Sequence, residues 1–225
     1  MLIQRTTITQ YLPLLAISLA LVSASACTSE IDNKPAAKVE EAGKKAPEPA
    51  KEDTKAPAPA SVELSLDKAT SKVGFIGAKV TADHAGSFTD LSGTTKVAGG
   101  KLESLEVVVQ MSSLSIEPAD LQGHLMTADF FDVEKYPQAK FSLLEVSEKP
   151  GENGATHEMS GNLEMHGKTM KVTFPATLTM SETAVDGKAE FKIDRNLWDI
   201  SAPGMKNDLI KPEVALSLDL HFVRA

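Results

Sequence analysis

The stretch PEVALSLDLHFV, residues 212–223, decides the fold of this chain. Its apolar side chains fall at every second position, and the positions between them are mostly polar or small. A two-residue period is typical of a β-strand with one dry face and one solvated face. The residues predicted to face inward are Val214, Leu216, Leu218, Leu220 and Phe222, and those predicted to face outward include Glu213, Ser217, Asp219 and His221.

The same period recurs through residues 62–66, 105–111, 159–165 and 170–180. Turn signals at residues 98–100, 150–154 and 186–187 separate these runs, at spacings that suit antiparallel hairpins. One interruption, PADLQGHLMTADFFD at residues 118–132, places Leu121 and Leu125 four apart after Pro118 and predicts a short helix. About eight strands with one helix predict an all-β sandwich or a closed barrel with one end covered.

The interior of an eight-stranded barrel either fills with its own side chains or holds one small ligand. The alternation is the same in both cases, so it leaves the choice open. A cavity with this lining would offer no hydrogen bonds, and its ligand would be apolar along most of its length. The candidate lining residues are Phe75, Val107, Val109, Met111, Leu125, Phe130, Phe141, Met159, Leu163, Phe174, Phe191, Trp198, Leu216 and Leu218.

Catalysis needs a nucleophile beside a base, paired carboxylates or grouped metal ligands, and the sequence supplies none of these convincingly. The histidines are scattered and never at helical zinc spacing, so we expect neither a metal site nor a cofactor. The methionines are better explained as core or pocket lining than as copper ligands. The net charge of −8 argues against nucleic acid as a partner.

Arg195 is the charged residue that stands out, because it lies between a β-like run and the single tryptophan, Trp198. An arginine there can bind an anionic head group through two parallel hydrogen bonds. It can equally form a structural ion pair with Asp194, Asp199 or Asp129 near the barrel rim.

The first 26 residues are predicted to be an export signal. Arg5 precedes an apolar block at residues 11–22 that is too short for an ordinary membrane-spanning helix, and small residues fill positions 23–26. Ala24-Ser25-Ala26 suits ordinary signal peptidase, whereas Ser25-Ala26-Cys27 resembles the end of a lipobox with Ala24 where Leu is usual. We favour the second, which makes Cys27 the site of lipid attachment.

Residues 27–60 are predicted to be a disordered tether. Residues 28–60 hold five of the twelve prolines, no aromatic side chain, and seven acidic against six basic residues. Such a composition cannot bury enough apolar surface to fold. No cysteine follows Cys27, so disulfides cannot stabilise the rest, and residues 61–225 have the length of a single domain.

The folded part resembles the YceI-like polyisoprenoid-binding family from about Glu63 to the C-terminus. The shared pattern comes in order as HAGSFTDLSG from His84 to Gly93, His124-Leu125 before Asp129-Phe130-Phe131-Asp132, Tyr136-Pro137 with Ala139 and Phe141, Gly161-x-Leu163 before His166-Gly167-Lys168-Thr169, and Arg195-x-x-Trp198. Each piece is weak alone, and the five together in order make a strong match. Asp199 departs from the pattern, which has a glycine there.

The resemblance implies an eight-stranded antiparallel, lipocalin-like barrel with one short capping helix, whose apolar pore holds an isoprenoid chain. Selectivity for the head group would then fall to the pore mouth, with Arg195, His84 and His124 as candidates. The leading hypothesis is a non-enzymatic carrier in a bacterial cell envelope, anchored through Cys27 in the outer membrane or on the periplasmic face. Thr28 after the cysteine fits outer-membrane sorting. The alternatives are a solid-core stress or adhesion module and, third, an isoprenoid- or haem-pathway enzyme; the sequence leaves a homodimer open.

Overall fold

The computed structural model of the protein describes residues 29–43, 60–79, 82–201 and 210–224. In these ranges the chain forms twelve strands, one α-helix and short 3₁₀ turns. The helix is α1 (Ala119–Met126). The strands are β1 (Lys38–Glu41), β2 (Val62–Leu66), β3 (Lys72–Lys79), β4 (Asp83–Phe88), β5 (Leu91–Ala98), β6 (Lys101–Gln110), β7 (Leu114–Ile116), β8 (Gln138–Glu148), β9 (His157–Met165), β10 (Lys168–Met180), β11 (Ala184–Asp194) and β12 (Ile210–Val223).

Eight strands close into an antiparallel ring, which confirms the predicted barrel. The ring runs β2, β12, β11, β10, β9, β8, β6, β5 and back to β2. Closure removes the free strand edges that an open sheet would expose. β12 is long enough to meet two neighbours on one edge: β2 pairs with Phe222 and Val223, and β3 pairs along residues 210–219. β4 and β7 extend the wall beyond β3.

The alternation along β12 sets the inside of the barrel. Leu216 lies opposite Phe75 of β3 and Phe191 of β11, and Leu218 lies opposite Val73 and Ala189. These neighbours belong to one apolar core that extends from β2 to β12. The predicted inward face of this strand is confirmed.

The two ends of the barrel differ. One end, here called the helix end, holds the end of β3, the start of β4, the end of β11 and the start of β12. The helix α1 contacts β7, and its His124 ring packs against Phe130, which faces Arg195 at this end. The predicted helix begins after Pro118 and ends at Met126, and Thr127 then starts a turn in which its carbonyl accepts from the amides of Phe130 and Asp132 at 3.0 and 2.9 Å. Leu125 is buried, and Leu121 packs against the core.

The turn predicted at residues 186–187 is wrong. Gly187 lies inside β11 and pairs with Leu178 on one side and Leu220 on the other. The chain reverses instead at residues 181–183, where the Ser181 hydroxyl accepts from the amides of Thr183 and Ala184. A serine hydroxyl can hold a turn without glycine, so the Asp-Gly pair was the weaker signal.

The disordered tether predicted for residues 27–60 is wrong for residues 29–43; Cys27, Thr28 and residues 44–59 lie outside the described residues. Residues 30–33 form a 3₁₀ turn, and the Ile31 side chain is fully buried. β1 pairs with β10 from Lys38 opposite Thr173 to Glu41 opposite Met170. The composition of residues 28–60 did not indicate this strand, because a strand that adds to an existing sheet edge needs few apolar side chains of its own.

This N-terminal segment, residues 29–43, completes the barrel wall between β10 and β11. Those two strands pair only from Thr177 opposite Lys188 to Met180 opposite Val185. Continued in the same register, Thr173 would face Lys192. Thr173 instead pairs with Lys38, and the Lys192 amide and carbonyl bond to Pro35 and Ala37 at 2.8 and 2.9 Å. Ala37 and Val39 also pack against the core.

Candidate ligand-binding pore

The barrel encloses an apolar cavity of about 270 Å³. Its lining reaches from Lys79 and Ile210 at the helix end to Leu178 and Gly187 near the opposite end. Along β12 the lining extends from Ile210 to Phe222, which is about 40 Å of strand or roughly 30 Å along the axis at the usual strand tilt. The cavity is therefore long and narrow rather than round.

Thirteen of the fourteen predicted lining residues border this cavity. They are Phe75, Val107, Val109, Met111, Leu125, Phe130, Phe141, Met159, Leu163, Phe174, Phe191, Leu216 and Leu218. Trp198 does not border it. The strand parity ends before Trp198, which lies in a 3₁₀ turn where its ring is fully buried and its Nε1 donates to the Leu163 carbonyl at 3.1 Å.

Further residues line the cavity beyond the fourteen candidates. Val214, Leu220 and Phe222 share the face of Leu216 and were predicted to face inward, but they were not included among the candidate lining residues. Val172, which shares the strand face of Phe174, follows from the same two-residue period. Leu121 on α1 and Ile200 after the turn lie outside any strand, so the period gave no indication of them.

Aromatic rings inside the pore rest against glycines of the neighbouring strands. A side-chain carbon at Gly86 would collide with the ring of Phe75, and one at Gly161 would collide with the ring of Phe141. A carbon at Gly93 would lie 2.5 Å from the Glu106 carbonyl oxygen. The glycines of the family-like pattern thus give these rings and strands room to approach closely.

The three predicted head-group residues all border the cavity at the helix end. His84 comes from β4, His124 from α1, and Arg195 from the turn after β11. Sequence reasoning missed Lys79 and Lys211, which line the same end. The ammonium groups of Lys140, Lys188 and Lys211 lie against carboxylates, at 2.6, 3.0 and 2.8 Å. The polar groups that face the pore therefore concentrate at one mouth.

Arg195 is a buried cation at this mouth, with only 4% of its surface exposed. Its Nε donates to the Lys211 carbonyl at 3.3 Å, and its Nη1 donates to the Ile200 carbonyl. The guanidinium carbon lies 5.7 Å from the centre of the Phe130 ring. Burial lowers the pKa of Arg195 and the adjacent Asp194 carboxylate opposes that effect, but an arginine stays protonated.

The alternative structural ion pairs of Arg195 with Asp194, Asp199 or Asp129 do not form among the described residues. Asp199 instead pairs with Lys168, at 2.6 Å, and Asp194 accepts from the Asn196 amide. Backbone carbonyls accept two of the hydrogen bonds that the guanidinium can donate, but they carry no net negative charge. An anion at the mouth would supply the negative charge that balances the guanidinium.

Asp199 stands in a conformation that explains the glycine of the family-like pattern. Its φ is 57°, in the left-handed region that glycine adopts without a steric penalty. It closes the 3₁₀ turn that carries Arg195 and Trp198. Aspartate tolerates this region better than most residues, so the turn forms here without glycine.

Within residues 29–43, 60–79, 82–201 and 210–224, no group of three or more His, Cys, Asp or Glu side chains is placed to hold a metal ion. His221 lies on the outer face of β12, with its Nδ1 2.7 Å from Asp186 Oδ1. In the same ranges, no helix has the length and hydropathy to cross a membrane.

Comparison with known proteins supports these observations. The model of the YceI-like domain family matches residues 64–222. A UPF0312 protein of Pseudomonas putida strain GB-1 is 38% identical over 94 residues, which cover 41% of this chain and 47% of that protein. The chain thus spans about half the length of curated relatives that it matches.

Two solved structures share the fold. BcnA of Burkholderia cenocepacia superposes with a TM-score of 0.61 at 21% identity, covering 69% of this chain and 98% of that one. A polyisoprenoid-binding domain from Saccharophagus degradans, implicated in plant cell wall breakdown, has a TM-score of 0.58 at 15% identity and covers 72% and 98%.

Proposed function

Because this chain belongs to the YceI-like family, we propose that its barrel binds an isoprenoid lipid lengthwise in the apolar pore. The observation that carries the proposal is the long cavity whose lining is apolar except at the helix end. A structural neighbour from Saccharophagus degradans is described as a polyisoprenoid-binding domain. The proposed role is carriage, storage or stress protection, by binding alone and without catalysis.

The apolar lining is sufficient to retain such a chain. Burial of roughly 500 Å² of hydrocarbon at about 25 cal/mol per Å² gives on the order of 12 kcal/mol before association and ordering costs. A narrow pore favours an unbranched or regularly methylated chain over a compact ligand. The isoprenoid is therefore selected by its shape and its lack of polar groups along most of its length.

The head group is proposed to lie beside Arg195, His84 and His124. A phosphate or another anion there would receive charge-assisted hydrogen bonds from Arg195, whose hydrogen-bond partners among the described residues are backbone carbonyls. A polyprenyl phosphate satisfies both the pore and its mouth, whereas a quinone-like lipid satisfies the pore and offers only neutral acceptors.

The protein is further proposed to be exported and acylated at Cys27. The support is the apolar block at residues 11–22, the small residues before the cysteine, and the cysteine itself. The anchored barrel would lie in a bacterial cell envelope, at the outer membrane or facing the periplasm. Whether it acts there as a monomer or a homodimer is a separate question that the experiment below also answers.

The experiment is native mass spectrometry of a chain beginning at Ser29, produced in bacteria and followed by organic extraction. It must begin at Ser29 because residues 29–43 form part of the wall. Cys27 is absent, so any lipid found is bound rather than attached. We expect one retained isoprenoid per barrel, and tighter binding of an added isoprenyl phosphate than of the matching alcohol, by about tenfold.

A mass spectrum that shows only lipid-free protein, before and after either lipid is added, would refute the carrier hypothesis. It would favour the solid-core module that acts through its outer surface. Equal affinity for the phosphate and the alcohol would refute the head-group assignment alone. A matched variant, Glu152→Gln at the opposite end, should bind both lipids as the unchanged chain does. The same spectra report the oligomeric state.

A further inference from the structure

The described chain starts at the pore mouth. The Ser29 hydroxyl donates to Asp83 Oδ2 at 2.8 Å, and the Glu30 amide donates to the same oxygen at 3.1 Å. Asp83 begins β4, next to the lining residue His84. The first described residue is therefore fixed at the helix end of the barrel.

The buried side chain of Ile31 fixes the segment near these hydrogen bonds. Ile31 is fully buried against Ile76, Ala78 and Ala215, on the outer side of β3 and β12. A fully buried isoleucine gives a short peptide a strong hydrophobic anchor. Residues 29–33 are therefore a docked part of the barrel and not the start of a free tether.

A third contact connects the segment to the mouth itself. Asp32 receives Lys211 Nζ at 2.8 and 3.0 Å on its two carboxylate oxygens. Lys211 borders the cavity, and its carbonyl accepts from Arg195. The docked segment and the proposed head-group site thus share one residue.

We propose that the pore mouth faces the bilayer in which Cys27 is anchored, so that the barrel exchanges its isoprenoid directly with that membrane. The inference rests on the acylation of Cys27 proposed above. Only Thr28 lies between Cys27 and Ser29, and the two residue steps from Cys27 to Ser29 reach at most about 7 Å. An acyl chain in the bilayer therefore holds the helix end within about 7 Å of the lipid head groups, and the opposite end about 30 Å farther out.

The connection to the anchor, and not electrostatic attraction, should set this orientation. The helix end exposes side chains of both charges, namely the carboxylates of Glu117, Asp120 and Asp129 and the ammonium groups of Lys79, Lys135 and Lys168. Such a mixed surface has no strong charge of one sign to draw it to lipid head groups. An orientation that depends on a two-residue connection should disappear when the connection is lengthened. The orientation should not depend on the charge of the lipid.

The experiment places a fluorescent label at either end of the acylated full chain. Asp120→Cys puts the label on α1 at the helix end, and Glu152→Cys puts it at the opposite end; both positions are exposed. The acylated Cys27 thiol does not react with the label. The protein is reconstituted in phosphatidylcholine vesicles that contain lipids with a nitroxide quencher on the head group.

We expect several-fold stronger quenching at position 120 than at position 152. The matched control inserts twenty Gly and Ser residues between Thr28 and Ser29, which adds on the order of 25 Å of flexible reach and should remove the difference. Equal quenching at the two positions, or stronger quenching at position 152, would overturn the inference. A difference that persists after the insertion would also overturn it, because the connection would not be its cause.

Failure of the anchor is distinguished from failure of the orientation. Mass spectrometry of the membrane fraction reports first whether Cys27 carries acyl chains. An unmodified Cys27 would refute the anchoring part of the proposed function and this inference with it. Acylated protein with equal quenching would refute only the orientation and would leave lipid binding in the pore untouched.

Discussion

Phe174 of β10 and Phe191 of β11 stack face to face, with ring centroids 4.1 Å apart and planes 12° from parallel, at the point where the two strands stop pairing. Their rings cover the gap between the two strands on the pore side, and the N-terminal segment, residues 29–43, fills the gap in the wall. The barrel wall is therefore two layers thick at this point. This arrangement gives the segment a measurable contribution to the fold.

Ile31→Ala is expected to loosen the N-terminal segment without unfolding the barrel. Truncation of a fully buried isoleucine costs about 2 kcal/mol or more, and the loss falls first on the docking of the segment. Amide hydrogen exchange of β1 should accelerate at least tenfold, while exchange in β12 is unchanged. Glu30→Ala, at an exposed neighbour, should have no such effect; equal behaviour of the two variants would contradict the prediction.

Gly161→Ala is expected to destabilise the barrel by about 1–3 kcal/mol, because the added carbon overpacks the site. It would collide with the Phe141 ring and lie 2.8 Å from the Ser142 carbonyl oxygen. Urea unfolding followed by the fluorescence of Trp198 measures the change.

Gly123→Ala is the control for that experiment. Gly123 lies within α1 and has nothing within 4 Å of the position of an added carbon. Alanine is a better helix former, so this variant should be more stable by about 0.5–1 kcal/mol. If both glycine variants lost stability equally, close packing would not be the reason for Gly161.

Asp199→Gly is expected to be more stable than Asp199→Ala by about 1 kcal/mol. Both variants lose the ion pair with Lys168, so their difference isolates the left-handed backbone of this position. Thermal unfolding of the two proteins side by side measures it. An alanine variant at least as stable as the glycine variant would show that the turn does not require this conformation.

Acidification is expected to loosen the docking of residues 29–33 through Asp32. The hydrogen bond from Lys211 lowers the pKa of Asp32. The carboxylate therefore contributes stability that is complete above its unfolded pKa of about 3.9 and is lost as the pH falls through its lower folded value. The chemical shifts of the Ile31 methyl groups should report that transition.

Asp32→Asn should weaken docking at neutral pH and remove the transition. Glu63→Gln, which changes a separate surface pair with Lys96, should leave the transition in place. A transition of unchanged midpoint and size in Asp32→Asn would assign it to another group.

The alternation of apolar residues predicted β12 and the inward face of most strands, because side-chain direction in a strand is set locally. The family was predicted separately, from the five short motifs that occur in order. Trp198 was wrongly predicted to line the pore, because a 3₁₀ turn interrupts the two-residue period just before it. The docking of Ile31 was not predicted, for a different reason. Its pocket is assembled from β3 and β12, and no local pattern near residue 31 indicates that such a partner exists.

Lys34 pairs with Glu190 across 156 positions of sequence, and Asp32 pairs with Lys211 across 179. A polypeptide is made from its N-terminus, so the segment that completes the wall is synthesised long before the strands that receive it. Contacts of such large sequence separation form late and slowly. Pairing of the N-terminal segment with β10 and β11 is thus expected to be among the final steps of folding. Until then, the unpaired edges of these two strands stay available to other chains.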